Sequence, residues 1–245
     1  MKKQLLPFLL ALALPFWAKS QYYHYAPNTL NIPCLVEKGD ATLGIGWGRG
    51  NAFQALELQG VYSPVQHWAV MANYFGARVE DVRSLADQGT DSYFWEAAVG
   101  AYEKLPKGSA SLFAGFGTGR LFSNFGSGNS AEFGLQRWFL QPGMAYQSHR
   151  FQAALALRLT RLAYSRGEVS FSIEQRYLQN IQNVEKNAPF FLPELGIQAG
   201  MRFEPVNISL SICSIFPNTD NLAFARVNTS LSLAVDFGVG RKKKS

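Results

Sequence analysis

Near its end the chain carries an unbroken alternation, Arg226 to Gly238 (R-V-N-T-S-L-S-L-A-V-D-F-G). Val227, Thr229, Leu231, Leu233, Val235 and Phe237 fall on one face. Arg226, Asn228, Ser230, Ser232, Ala234, Asp236 and Gly238 fall on the other. A period of two is the mark of a strand with one oily and one polar side. Strands of soluble sheets usually run about five or six residues. A strand this long, once tilted, spans the ~25 Å apolar band of a transmembrane barrel.

The pattern recurs upstream. In 42–48, Leu43, Ile45 and Trp47 alternate with Gly44, Gly46 and Gly48. Residues 53–62, 68–76, 92–103, 110–122, 133–147, 151–164, 191–203 and 206–215 read as further strands, about ten in all. Connections after the second, fourth, sixth and eighth are short. Those after the third (78–91), fifth (123–131), seventh (165–189) and ninth (216–225) are longer, and only the first outward one, 49–52, is not. Short periplasmic turns with longer extracellular loops are the habit of outer-membrane barrels. The fold expected is all-β: a single antiparallel transmembrane barrel of about 10 strands over 41–240, with the last strand, 226–238, closing on the first, 42–48.

Three places strain the alternation. Arg161 falls on the oily face of its strand and Leu162 on the polar one, Arg120 conflicts similarly, and Pro142 interrupts a long strand. A bulge would account for the proline, and a bulge or a place near lipid headgroups for the arginines.

The start of the chain reads as an export signal, residues 1–20: Lys2 and Lys3, an apolar run from Leu5 to Trp17, then Ala18-Lys19-Ser20. The run is too short for a spanning helix. Residues 21–40 form a lead-in with Pro27 and Pro33 and no clear period, either a plug for the lumen or a periplasmic segment. Residues 241–245 are a basic tail. Composition agrees with the barrel: 47% hydrophobic, 14% aromatic and only 16% charged. The net charge of +6 falls to +3 without Lys2, Lys3 and Lys19, and to −1 without Arg241 to Lys244. The body has no basic face, so nucleic acid is not an expected partner. Outer-membrane lipid is.

The polar faces put Glu57, Gln59, Asn73, Glu96, Gln141, Arg158, Glu194, Gln198, Arg202, Asn207, Asn228 and Asp236 in the lumen. Mixed charges could select a solute. About eight strands are just filled by their own side chains and wide channels need about 16, so a largely filled lumen is favoured at ten. The expected role is structural or interaction-type, with a narrow channel for small solutes as the alternative.

Other constellations are weak. Gly115-Phe116-Gly117-Thr118-Gly119-Arg120 lacks the lysine and the strand-loop-helix context of a phosphate loop, and its glycines read as permitting sheet curvature. Glu80, Asp81, Asp87 and Asp91 do not have calcium-loop spacing, and Arg78 and Arg83 offset them. His67 and His149 fall on the periplasmic turns and His24 in the lead-in, so no Ser/His/Asp grouping can be assembled on the outer rim, and a surface enzyme using the loop carboxylates is a disfavoured alternative. No catalytic residue, cofactor or metal site is expected. Cys34 and Cys213 are too few for a disulfide framework, though one bridge could form after export. Ile173, Tyr177, Leu178, Ile181 and Val184 share one helical face, which predicts a short helix in 165–189. It would cap the barrel mouth or meet an extracellular partner.

Tyr25-Ala26-Pro27-Asn28, Asn31-Ile32-Pro33 and Glu37-Lys38-Gly39-Asp40 ahead of a first strand resemble a family of small outer-membrane β-barrel proteins common in the Bacteroidetes group. Val70-Met71-Ala72-Asn73-Tyr74 and Phe139-Leu140-Gln141-Pro142 are similar too. The resemblance covers most of the chain after the signal. It implies a barrel in the outer membrane and brings no catalytic residues with it. Some members carry a lipid-anchor cysteine after the signal, which this chain lacks.

Overall fold

The computed structural model describes residues 25–50, 53–80, 89–126, 129–165, 168–169, 182, 186, 188–216 and 225–238. Ten antiparallel strands form one closed barrel: β1 Asp40–Gly50, β2 Phe53–Val65, β3 Trp68–Glu80, β4 Gly89–Leu105, β5 Gly108–Gly126, β6 Asn129–Gln147, β7 Phe151–Ser165, β8 Phe190–Phe203, β9 Val206–Ile215 and β10 Val227–Gly238. Each strand pairs with its neighbours in sequence, and β10 returns to β1 from Asp40 opposite Gly238 to Gly50 opposite Asn228. One end of the barrel carries the short connections β2–β3, β4–β5, β6–β7 and β8–β9. It is called the turn end here, and the opposite end the loop end.

Followed once around, the pairing registers step the chain by about 12 residues. At about 3.3 Å per residue and 4.8 Å between strands, that stagger tilts the strands by roughly 40° and sets the Cα wall about 10 Å from the axis. Alternation then sorts the side chains. Leu43, Ile45, Trp47, Leu231 and Leu233 stand exposed on the outside. Glu57, Asn73, Glu96, Arg158, Glu194 and Asn228 are buried inside.

A wall of this radius leaves more room than its own side chains fill, and the chain ahead of β1 takes the remainder. Residues 25–36 run down the lumen from the loop end to the turn end. At the top the Tyr25 carbonyl accepts from the Ala225 N–H at 3.0 Å. At the bottom Leu35 packs among Val61, Met71, Tyr102 and Phe113. Asp40 then accepts from the N–H groups of Val36 and Glu37, each at 2.9 Å, and this turn reverses the chain into β1. Pro27 and Pro33 lack the N–H that a ladder strand needs, so the segment crosses the lumen without joining the sheet. Midway, Leu30 and Ile32 pack with Ala156 and Cys213. The wall is pared back there: a Cβ built on Gly196 would meet Leu30 carbons at 2.8–2.9 Å, and one on Gly143 would meet Ile32 at 3.3 Å.

Several expectations change. Within the connection foreseen at 123–131, residues 123–126 and 129–131 are strand instead. β5 and β6 continue to Gly126 and Asn129, because Ser123 and Asn124 find partners on both β4 and β6. At 19 residues each, these strands stand higher at the loop end than their neighbours. Pro142 makes no bulge. The β6–β7 register is unchanged from Leu140↔Leu159 to Gly143↔Ala156, with only the ladder interrupted between them. Arg161 and Arg120 point outward in regular phase. Arg120 meets Glu132 at 3.0 Å on that outer face, while Leu162 joins an inner apolar cluster with Tyr25, Leu135 and Leu192. Neither needs a bulge. Asp91 lies on β4 beside Arg78 at 3.8 Å. Cys34 and Cys213 are free thiols. Ile173, Tyr177, Leu178, Ile181 and Val184, expected to share a helical face, lie outside the described residues, as do the expected export signal, the basic tail, His24, Asp81, Arg83 and Asp87.

The fit of the lead-in against glycine is directly testable. Gly196→Val places a branched side chain on Leu30 and is expected to lower stability by about 1–3 kcal/mol, the usual range for overpacking. Gly60→Ala, whose new Cβ would meet the end of the Leu43 side chain at 3.1 Å and the Ala72 carbonyl at an ordinary 3.6 Å, serves as the tolerated control. Unfolding in detergent micelles, followed by circular dichroism, distinguishes the two.

Candidate functional site: the lumen

Charge is concentrated in one layer of the lumen. Glu96 on β4, Arg137 on β6 and Arg158 on β7 are all buried. Arg158 Nη1 lies 3.2 Å from Glu96 Oε1, and Arg137 forms a closer ion pair with the same carboxylate. The guanidinium of Arg137 lies 4.1 Å from the ring centre of Phe94, and that of Arg158 lies 4.3 Å from that of Phe139. These rings supply cation–π contacts where water is excluded. The β5 glycines make this possible: a Cβ on Gly117 would stand 3.1 Å from both Arg137 and Glu96, and one on Gly115 would collide with Phe139. Close approach to these side chains, rather than curvature alone, explains the glycine run.

The lead-in is held by this layer. Arg137 donates to Asn28 Oδ1 at 2.7 Å and to the Tyr25 hydroxyl, which donates in turn to Glu194 at 3.4 Å. Thr160 also donates to Glu194, at 2.9 Å. The Asn28 amide donates to Glu96 at 3.1 Å. Across the lumen, Glu57 accepts from the Thr29 N–H at 2.9 Å, from the Thr29 hydroxyl, and from Asn228 at 2.8 Å. Asn228 donates to the Pro27 carbonyl and Gln59 to that of Thr29, at 2.9 and 3.1 Å. Asn31 donates to Asn73 at 3.0 Å, and its carbonyl accepts from Gln141 at 2.8 Å. Wall side chains thus do for the lead-in what a ladder does for a strand: they satisfy buried backbone groups.

Below this layer the side of the lumen formed by β8, β9, β10 and β1 is polar and mostly uncharged, and it faces the apolar cluster around Leu35. Gln198 donates to Ser209 at 2.8 Å, and Thr42 donates to Asp236 at 2.8 Å. Arg202 reaches Asp236 at 3.7 Å and Glu204 at 3.5 Å, near the turn end. A cleft of about 60 Å³ lies between residues 31–34 of the lead-in and the inner faces of β8, β9, β10, β1 and β2, with Gln147 of β6 and Gln152 of β7 at its side. Gln59, Gln198, Asn207, Ser209, Ser232 and Asp236 are among its lining residues, and it follows Gly44 and Gly46, where β1 presents no side chain.

All twelve polar residues assigned to the lumen from alternation therefore lie on the inner face. Eight gather in the layer that holds the lead-in: Glu57, Gln59, Asn73, Glu96, Gln141, Arg158, Glu194 and Asn228. Gln198, Arg202, Asn207 and Asp236 lie lower. Arg137 was missed, although it shares the parity of Gln141 four residues on. Tyr25, Asn28, Thr29 and Asn31 were missed because the lead-in has no period to read. No protein-family model matches the chain, and no curated protein matches it.

Removing one partner of a buried ion pair costs about 3–5 kcal/mol, because the other charge stays behind. Arg158→Met is expected to destabilise the barrel by that order. Adding Glu96→Gln also strands Arg137, so the double variant should be less stable than Arg158→Met alone, yet by less than the two single losses summed, a coupling of at least about 1 kcal/mol in a double-mutant cycle read by denaturant unfolding.

Proposed function

We propose that this chain is an integral outer-membrane β-barrel protein, its turn end in the periplasm and its loop end outward, with a lumen closed by residues 25–36. The observation that carries the reading is the inverted distribution of its side chains. The outer surface exposes Trp47, Trp68, Trp95 and Trp138 along with 27 other large apolar residues among those described, whereas acids, arginines and amides are buried within. A soluble monomer rarely exposes contiguous apolar patches beyond a few hundred Å². A soluble barrel carrying an apolar ligand would turn these faces inward.

The aromatic residues support a membrane position. Tyr62, Trp68, Tyr146, Phe151, Phe203 and Phe237 ring the outside toward the turn end. Trp47, Tyr93, Trp95, Trp138 and Phe191 form a second ring toward the loop end. With strands tilted roughly 40°, the belt between them is about 25 Å tall, the thickness that such barrels present to lipid. Arg161 lies in one row with Trp138 and Phe191, where a cation reaches lipid headgroups.

The role this supports is structural or interaction-type rather than enzymatic. The lumen residues are engaged with one another and with the lead-in, and the outer face suits lipid as the main partner. The resemblance to small outer-membrane barrels of the Bacteroidetes group points to the same address.

Expected outcomes are recovery in the outer-membrane fraction and faster gel migration of unboiled than of boiled protein. The four named tryptophans should be quenched by brominated lipid. Recovery as a soluble periplasmic protein with unquenched tryptophans would overturn the proposal.

A further inference from the structure

We infer that residues 25–36 are a displaceable plug, and that moving them opens a cation-preferring path for small hydrophilic solutes along the glycine-lined face of β1. The inference rests on the membrane reading above and adds an activity to it.

The wall is built to be polar without the plug. Glu57, Gln59, Asn73, Gln141 and Asn228 direct hydrogen bonds at the lead-in from several sides of the lumen. Withdrawing the lead-in leaves groups that water can satisfy. A lumen designed only to be filled would use apolar side chains at these positions, since burying polar groups gains nothing unless each is bonded.

Part of the path already exists. The cleft beside Gly44 and Gly46 occupies the turn-end half of the lumen, lined chiefly by amides and hydroxyls. Asn207, which lines it, is 3% exposed, and its side-chain oxygen has no hydrogen-bond partner among the described residues. The inner stripe of β1 continues upward through Gly48, whose built Cβ would stand 2.9 Å from Asn228 Oδ1. At that level the passage is stopped by Thr29 clamped between Glu57 and Gln59, with Asn228 alongside on Glu57 and the Pro27 carbonyl. The arginine layer lies on the other wall, on β6 and β7, clear of this stripe. An extended chain is about 5 Å by 10 Å in section, so its departure leaves a bore of that size, enough for small solutes and not for folded polymers.

Charge sets the preference. The layer holds Glu57, Glu96 and Glu194 against Arg137 and Arg158, an excess of one carboxylate. Both arginines are committed to Glu96. Glu57 is bonded only to neutral donors among the described residues and lies beside the stripe. A bore lined this way draws cations and repels anions.

The test is planar-bilayer recording of the refolded full chain, using potassium chloride as the probe. Two variants move the plug in opposite directions. Thr29→Ala removes one hydrogen bond to a buried carboxylate and is expected to raise open-state occupancy about tenfold, the scale of a charge-assisted hydrogen bond. Leu30→Cys with Gly196→Cys, in a Cys34→Ser, Cys213→Ser background, ties the plug to β8. The built Cβ on Gly196 lies 2.9 Å from that of Leu30, so a shift of the lead-in by about 1 Å brings the pair to the ~3.8 Å of a disulfide. Oxidation should abolish openings and reduction restore them, with the reversal potential in a salt gradient on the cation side. Three results would overturn the inference: silence of Thr29→Ala and of the reduced double-cysteine protein, openings that persist under oxidation, or anion preference. Heat-shifted migration of the same samples separates these from failure of the membrane reading, in which no variant would insert.

Discussion

The seam between β1 and β10 sets the terms for the rest of the molecule. Once those two strands pair, the sheet has no edge, and strand number and stagger together fix the radius. Ten strands at this stagger enclose more volume than inward side chains occupy. The vacancy cannot be closed by squeezing, because the wall's hydrogen-bonded registers hold its circumference. Something must enter, and the nearest segment is the one that feeds β1. The glycines of β1, β5, β6 and β8 then make sense together. They lie where another side chain or the lead-in comes closer than a Cβ would permit.

Inside, the charges do more to place the lead-in than to stabilise the barrel. Taking two arginines and three carboxylates out of water is costly, and their mutual attraction roughly offsets that cost. What the arrangement gains is direction. Asn28 bridges Arg137 and Glu96, Thr29 answers Glu57, and Asn31 answers Asn73 and Gln141. Sliding the segment by one residue would exchange polar for apolar side chains at these partners, setting Leu30 against a carboxylate. Apolar clusters around Tyr25 and Leu35 hold the two ends, and the polar middle sets the register.

Alternation made much of this legible. The closing strand, its pairing with β1 and the inner placement of Glu57, Glu96 and Asn228 all follow from period two and chain order, and the same parity would have delivered Arg137. The failures have physical causes. Ser123 to Ala131 is rich in serine, glycine and asparagine, a composition that reads as loop, yet strand pairing on both sides outweighs weak local propensity. Pro142 suggested a bulge because one missing donor was counted and the continuity of the register was not. Arg120 and Arg161 looked misplaced because the outer face is apolar over most of its height, and of the two explanations open to them, a bulge or a place toward the end of the strand, regular phase removes the bulge. The lead-in was opaque because its partners are side chains scattered over the whole sequence, which no local pattern records.

A barrel that closes around its own preceding segment constrains the order of its assembly. β1 and β10 are the first and last strands, so the seam joins residues about as far apart as the chain allows, and such non-local pairing forms late. The segment 25–36 enters most directly while the sheet is still curved and unclosed, because a finished ring admits it only along its axis. Asp40 makes this practicable: by turning the chain back at the foot of β1, it keeps the incoming segment beside the first strand from the moment that strand exists. The interior is thus a template present during closure, with the wall wrapped about it.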